Sequence, residues 1–233
     1  LAKVVDTQKQ GTAILHIVKN AAVAEIAPPL RVLARVDAVR RNYIKPHHTA
    51  THLLNEALRR ILGSQVHQAG SYVGADKLRF DFTHPKALDA ELIRKVESMV
   101  AAEIEKGDSV ATKVDSIEKV KEYGAVTLLG EEYGQRPRFV LIGSKGWKDP
   151  KDRFSLELCG GTHVSTTAEV GDFKIVKESS VAAGVRRIEA LAGRAVEDYQ
   201  RVKQQEKEQT VVHLLARERE LLHEVSALGG KAD

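Results

Sequence analysis

The sequence predicts an α+β fold in which helices pack on a mixed or antiparallel sheet. Two observations lead there. Short β-branched or alternating apolar runs recur along the whole chain, and three stretches instead space their apolar residues three and four apart. Strands and helices do not take turns in the regular way that builds a doubly wound parallel sheet, so helices laid on an antiparallel sheet are the simpler solution. Composition agrees: 42% of the 233 residues are hydrophobic and 29% charged, enough apolar material for a core and too much for a disordered chain. No apolar run reaches the roughly 18–20 residues of a membrane-spanning helix. The net charge of +4 permits a phosphate-rich partner without demanding one. The chain opens on Leu1, with Met99 its single methionine, and the expectation is a piece of a longer polypeptide.

The elements follow in order. Residues 13–18 and 31–36 are short β-branched runs on either side of Pro28-Pro29, predicting strands of a partial β-barrel that occupies residues 1–42. Residues 46–62 predict a helix with Pro46 at its entry and Gly63 at its exit. Its two faces differ: Ala50, Leu53, Leu54, Ala57, Leu58 and Ile61 make an apolar side, while His48, His52, Asn55 and Arg59 share a narrow polar arc. His47 points toward the apolar side and reads as a packed histidine. Residues 65–73 and 78–82 predict strands, 88–106 a second amphipathic helix closed by Gly107, and 109–114, 138–142 and 155–158 further strands. With 173–176 and 185–191 these complete a core spanning residues 43–192. From residue 193 a long helix is expected, its apolar pattern broken by the wholly polar residues 203–209. It either packs on sequence outside this chain or forms a coiled-coil stem that pairs two copies.

Two constellations carry chemistry. His48 and His52 are four apart, so on a helix both imidazoles can converge on one ion. The metalloprotease pattern needs a Glu directly after the first His, and Thr49 stands there. Cys159-Gly160-Gly161-Thr162-His163 sets two metal-binding side chains around a pair of glycines, suited to a tight turn. Either pair alone is as readily a pair of surface histidines, or a buried thiol near an unrelated histidine. Together they make a His₃Cys set of good zinc ligands, about a hundred residues apart in the chain and so unlike a zinc finger.

On these residues the sequence resembles the editing domain of alanyl-tRNA synthetases and of free-standing trans-editing relatives. The likeness runs through His48-Thr49-Ala50-Thr51-His52, Val66-His67-Gln68-Ala69-Gly70-Ser71, Cys159-Gly160-Gly161-Thr162-His163 and Gly184-Val185-Arg186-Arg187-Ile188-Glu189-Ala190. The resemblance implies hydrolysis of seryl- and glycyl-tRNA(Ala), with zinc held by His48, His52, Cys159 and His163. It also implies aminoacylation and C-terminal domains elsewhere on the same polypeptide, and a cytoplasmic setting. Alanine is smaller than serine and larger than glycine, so a size sieve cannot reject it alone; the pocket must read chemistry. Gln68, whose counterpart lies in the family's editing pocket, is the first candidate. Thr49 and Thr51 join it on helix geometry, with capping or solvation as their other reading. Four protein ligands suit a closed site that shapes the pocket, whereas three would leave a position open; the expectation is a zinc that positions the substrate. Arg40, Arg41, Lys45, Arg59, Arg60, Arg186 and Arg187 are the candidate tRNA contacts, and one arginine of the last pair should face inward. Two other readings stay open: a free-standing trans-editing hydrolase, and a zinc-stabilised tRNA-binding module without activity.

Overall fold

The β-branched run at 13–18 forms the strand it predicts, and a second strand precedes it. In a computed structural model of the chain, which describes residues 3–11, 13–19, 31–128, 132–143 and 146–229, strands β1 (Lys3–Gln10) and β2 (Ala13–Lys19) pair antiparallel around Gly11. Leu1–Val36 is a unit of its own, separate from Asp37–Asp233. Every described residue of the hairpin is exposed. No closed barrel forms among the described residues, and the strand expected at 31–36 is absent. That run is irregular and open, with Leu33 96% exposed, because no described strand pairs with it.

The second unit begins with helix α1 (Ala38–Leu62), which starts about two turns before its expected entry. The reason is the cap: Asp37 is extended and its carboxylate accepts the Arg40 N–H at 3.0 Å. Pro46 therefore lies inside the helix, where it removes one backbone hydrogen bond. Its burial offsets that loss. Strands β3 (Gln68–Val73) and β4 (Leu78–Thr83) follow, then α2 (Ala90–Lys106), capped by the Asp89 side chain and ended by Gly107 at φ 65°.

Strands β5 (Val110–Val114), β6 (Arg138–Ile142) and β7 (Ser155–Leu158) make an antiparallel three-stranded sheet, with helix α3 (Lys119–Tyr123) in the first connection. Strands β8 (Phe173–Ala182) and β9 (Val185–Ala192) join β3 and β4 in an antiparallel sheet ordered β3-β4-β9-β8. The period-two side chains Leu78, Phe80 and Phe82 of β4 and Ile188 and Ala190 of β9 pack in one core. Leu53, Leu54, Ala57 and Leu58 of α1 and Val96 and Val100 of α2 complete it, all fully buried.

The small sheet has a separate core of Tyr123, Phe139, Leu141, Leu156 and Leu158. Strand β7 thus sends Leu156 and Leu158 one way and, by the same alternation, Ser155 and Glu157 the other; all four are buried. The last element, α4 (Arg194–Ala227), runs unbroken through residues 203–209. Ala195 and Val196 pack with Leu191 and Tyr43, and from Gln200 onward every described residue is exposed. No described helix is long and apolar enough to cross a membrane.

Candidate metal centre

Helix α1 and the loop after β7 bring four ligand side chains together. His48 and His52 stand one turn apart with their rings stacked, centroids 5.5 Å apart at 13°. Cys159 Sγ lies 3.3 Å from His48 Nε2 and 3.4 Å from His163 Nε2. One donor atom from each of the four residues falls within 4.8 Å of all the others. Zinc–nitrogen and zinc–sulfur bonds of about 2.0–2.3 Å in a tetrahedron put donor atoms roughly 3.4–3.6 Å apart. The two sulfur–nitrogen separations match that, and the wider pairs, up to 4.8 Å, would draw in on a bound ion.

The loop owes its path to Gly161. A Cβ there would fall 1.8 Å from His48 Cε1, so only glycine lets the backbone approach the imidazole this closely. Arg138 clamps the loop from β6: its guanidinium donates to the carbonyls of Gly161 and Cys159, and its own carbonyl accepts the Cys159 N–H at 3.0 Å.

Two of the three histidines are steered from behind. Thr49 Oγ1 lies 3.3 Å from His163 Nδ1 and accepts the Val164 N–H at the same distance. His52 Nδ1 sits 2.8 Å from Glu157 Oε2, while Glu157 Oε1 accepts from Asn55 Nδ2 and Ser155 Oγ, both at 3.1 Å. Neither ring nitrogen of the buried His52 makes a hydrogen bond of good geometry among the described residues: Nδ1 meets Glu157 as a close ion pair, and Nε2 is left open toward the cluster.

Electrostatics favour a cation. Burial alone would push the Cys159 thiol up, but its contacts with His163, His48 and His52 outweigh that and bring it down to about 3. Burial, with the neighbouring His52 and His48, lowers His163 to about 4 despite the attraction of Cys159. His52 is lowered by burial too, yet Glu157 and Cys159 raise it to about 10. The thiolate and the neutral His163 are ready donors for a borderline-soft divalent metal, and His52, protonated in the metal-free cluster, would give up one ring proton on binding it; the residues present fit zinc.

Comparison with known proteins agrees with this geometry. Residues 138–189, which contain Arg138, Cys159 and His163, match the family described as threonyl and alanyl tRNA synthetase second additional domain. An alanine–tRNA ligase of Methylacidiphilum infernorum is 44% identical over 214 residues, 91% of this chain and 22% of the relative. One of Leptospira borgpetersenii is 48% identical over 194 residues, 83% of this chain and 20% of the relative. One of Legionella pneumophila is 44% identical over 192 residues, 81% of this chain and 21% of the relative. Over most of its length the chain is similar to alanine–tRNA ligases. It spans about a fifth of the length of these relatives.

The other candidate residues are distributed unevenly. Thr49 is fully buried at the metal cluster, whereas Thr51 turns its hydroxyl back to the His47 carbonyl at 2.8 Å. His47 is itself buried, its Nδ1 3.0 Å from the Gly74 carbonyl. Gln68 is half-buried at the start of β3, and its amide donates to Ser71 Oγ at 3.1 Å rather than to the cluster. Arg40 and Arg41 are exposed on the first turn of α1, and Lys45 is half-buried. Arg59 donates to the Val66 carbonyl at 2.9 Å, and Arg60 lies over the Phe154 ring. Arg186 holds Glu178 through two 2.6 Å bonds, and Arg187 holds Asp81 through two at 2.7 Å. These last two arginines brace the sheet across neighbouring strands.

Sequence reasoning missed Glu157, Ser155 and Arg138. The signal for the first two was present: in Ser155-Leu156-Glu157-Leu158-Cys159 the polar residues alternate with leucines, so they share a face with the cysteine.

Proposed function

We propose that this chain is a hydrolytic editing module that cleaves the ester bond of seryl-tRNA(Ala) and glycyl-tRNA(Ala), within an alanyl-tRNA synthetase. The observation that carries the proposal is the His48–His52–Cys159–His163 cluster in a chain whose relatives are alanine–tRNA ligases. His48, His52, Cys159 and His163 would hold zinc, which when bound supplies a Lewis acid that orients and polarises the aminoacyl group. The protein's own part is to shape the site and discriminate. Gln68 lies at the irregular start of β3, where the register with β4 shifts between Gln68 and Gly70. Its amide would exchange Ser71 for the serine hydroxyl, a bond that alanine cannot offer. Thr49 keeps His163 in place, and Thr51 lines the same segment of α1. The exposed Arg40 and Arg41, with Lys45, are the cations free to meet acceptor-stem phosphates, while Arg59, Arg186 and Arg187 act first on the protein's own groups.

The test is to incubate the chain with Ser-tRNA(Ala), Gly-tRNA(Ala) and Ala-tRNA(Ala), with and without a chelator. Faster release of serine and glycine than of alanine, lost on chelation, is the expected outcome. Equal rates on all three, or none on any, would contradict the assignment.

A further inference from the structure

We infer that Glu157 is a positioning residue for the metal: with Asn55 and Ser155 it forms a buried hydrogen-bonded support that sets which nitrogen of His52 faces the ion. The inference rests on the metal reading of the cluster, though not on the substrate assigned to it.

Two lines of side chains face each other here. Helix α1 offers His48, His52 and Asn55 at spacings of four and three, which keeps them on one face. The β7 segment offers Ser155, Glu157 and Cys159 at spacings of two, which does the same on a strand. The lines run in opposite senses. His48 meets Cys159, His52 meets Glu157, and Asn55 meets Glu157 as well. The metal ligands and their support therefore continue one interface, with Glu157 directly behind His52.

The carboxylate has no freedom left. Glu157 is 6% exposed; one oxygen takes the His52 ring and the other accepts from both Asn55 and Ser155. A metal-bound imidazole keeps one proton, on the nitrogen away from the ion, and a carboxylate 2.8 Å from Nδ1 favours that proton there. Nε2 is then left with a lone pair, buried and without another partner among the described residues. Outer carboxylates on ligating histidines commonly change metal affinity by about 10–100-fold. Burying a carboxylate is costly unless it is paired and hydrogen-bonded, so a role confined to packing would be better filled by an apolar side chain of the same length.

The experiment measures zinc affinity by competition against a chromophoric chelator, together with the cobalt(II) absorption spectrum, for the wild type, Glu157→Gln, Glu157→Leu and Asn55→Ala. Circular dichroism and melting of the metal-free proteins report folding separately. Glu157→Gln keeps an oxygen that can accept from His52, so it should lose affinity about tenfold. Glu157→Leu should lose about 100-fold and shift the cobalt bands, and Asn55→Ala should lose a few-fold. Wild-type affinity and spectrum in a folded Glu157→Leu protein would overturn the inference. If the Glu157 variants do not fold, the decision passes to Asn55→Ala, where undiminished affinity overturns it and a loss supports it. A wild-type protein that binds neither zinc nor cobalt would remove the metal reading itself, a result distinct from tight binding that ignores Glu157.

Discussion

Helices α1 and α4 carry the same kind of apolar spacing and meet opposite fates. In α1, Leu53, Leu54, Ala57 and Leu58 are fully buried, and the polar arc behind them is enclosed too, with His52 and Asn55 almost as inaccessible as the leucines. In α4, Val211, Leu214, Leu215, Leu221 and Leu222 are all exposed. Periodicity identifies a helix and the side that would bury; it does not supply the surface that buries it. The difference lies in what each helix faces. Helix α1 packs on a sheet, a second helix and the β7 edge, whereas among the described residues α4 packs only through its first two turns.

The predictions follow from that contrast. Metal removal should have the largest effect, because it acts only through the α1 side. At free zinc about 1,000-fold above the dissociation constant, chelation should remove about 4 kcal/mol of stability, read as a lower melting temperature. Leu54→Ala should cost about 2–5 kcal/mol in denaturant unfolding, since a fully buried leucine leaves a cavity behind. Gly161→Ala must displace His48 or the loop, and zinc affinity should fall about tenfold in the same competition assay. Leu214→Ala, 61% exposed on α4, should change stability by less than about 0.5 kcal/mol. A larger loss from Leu214→Ala that depends on protein concentration would sharpen the comparison, by indicating that α4 finds its partner in a second copy.

Local rules made much of this legible. The spacing of His48 and His52 and the Cys159-Gly160-Gly161-Thr162-His163 turn pointed to the four side chains that cluster, and alternation in 78–82, 138–142 and 155–158 disclosed strands at nearly their observed bounds. What escaped depends on contacts between segments distant in sequence. Pro46 has the form of a helix start, yet the Asp37 cap and the burial of the proline carry the helix past it. A glutamate between two leucines reads as the solvent side of a strand; only the arrival of α1 makes Glu157 a buried group. Likewise alternation turns one arginine of the 186–187 pair inward without saying what it meets; β4 sets Asp81 opposite Arg187.

The central claim is that α1 and the β7 loop together bind one metal ion through three nitrogens and one sulfur. X-ray absorption at the zinc edge tests it most directly on the purified chain. The expected spectrum fits one sulfur at about 2.3 Å and three nitrogens at about 2.0–2.1 Å, with the sulfur lost in Cys159→Ser. A zinc shell of oxygen and nitrogen only, unchanged in Cys159→Ser, would contradict it.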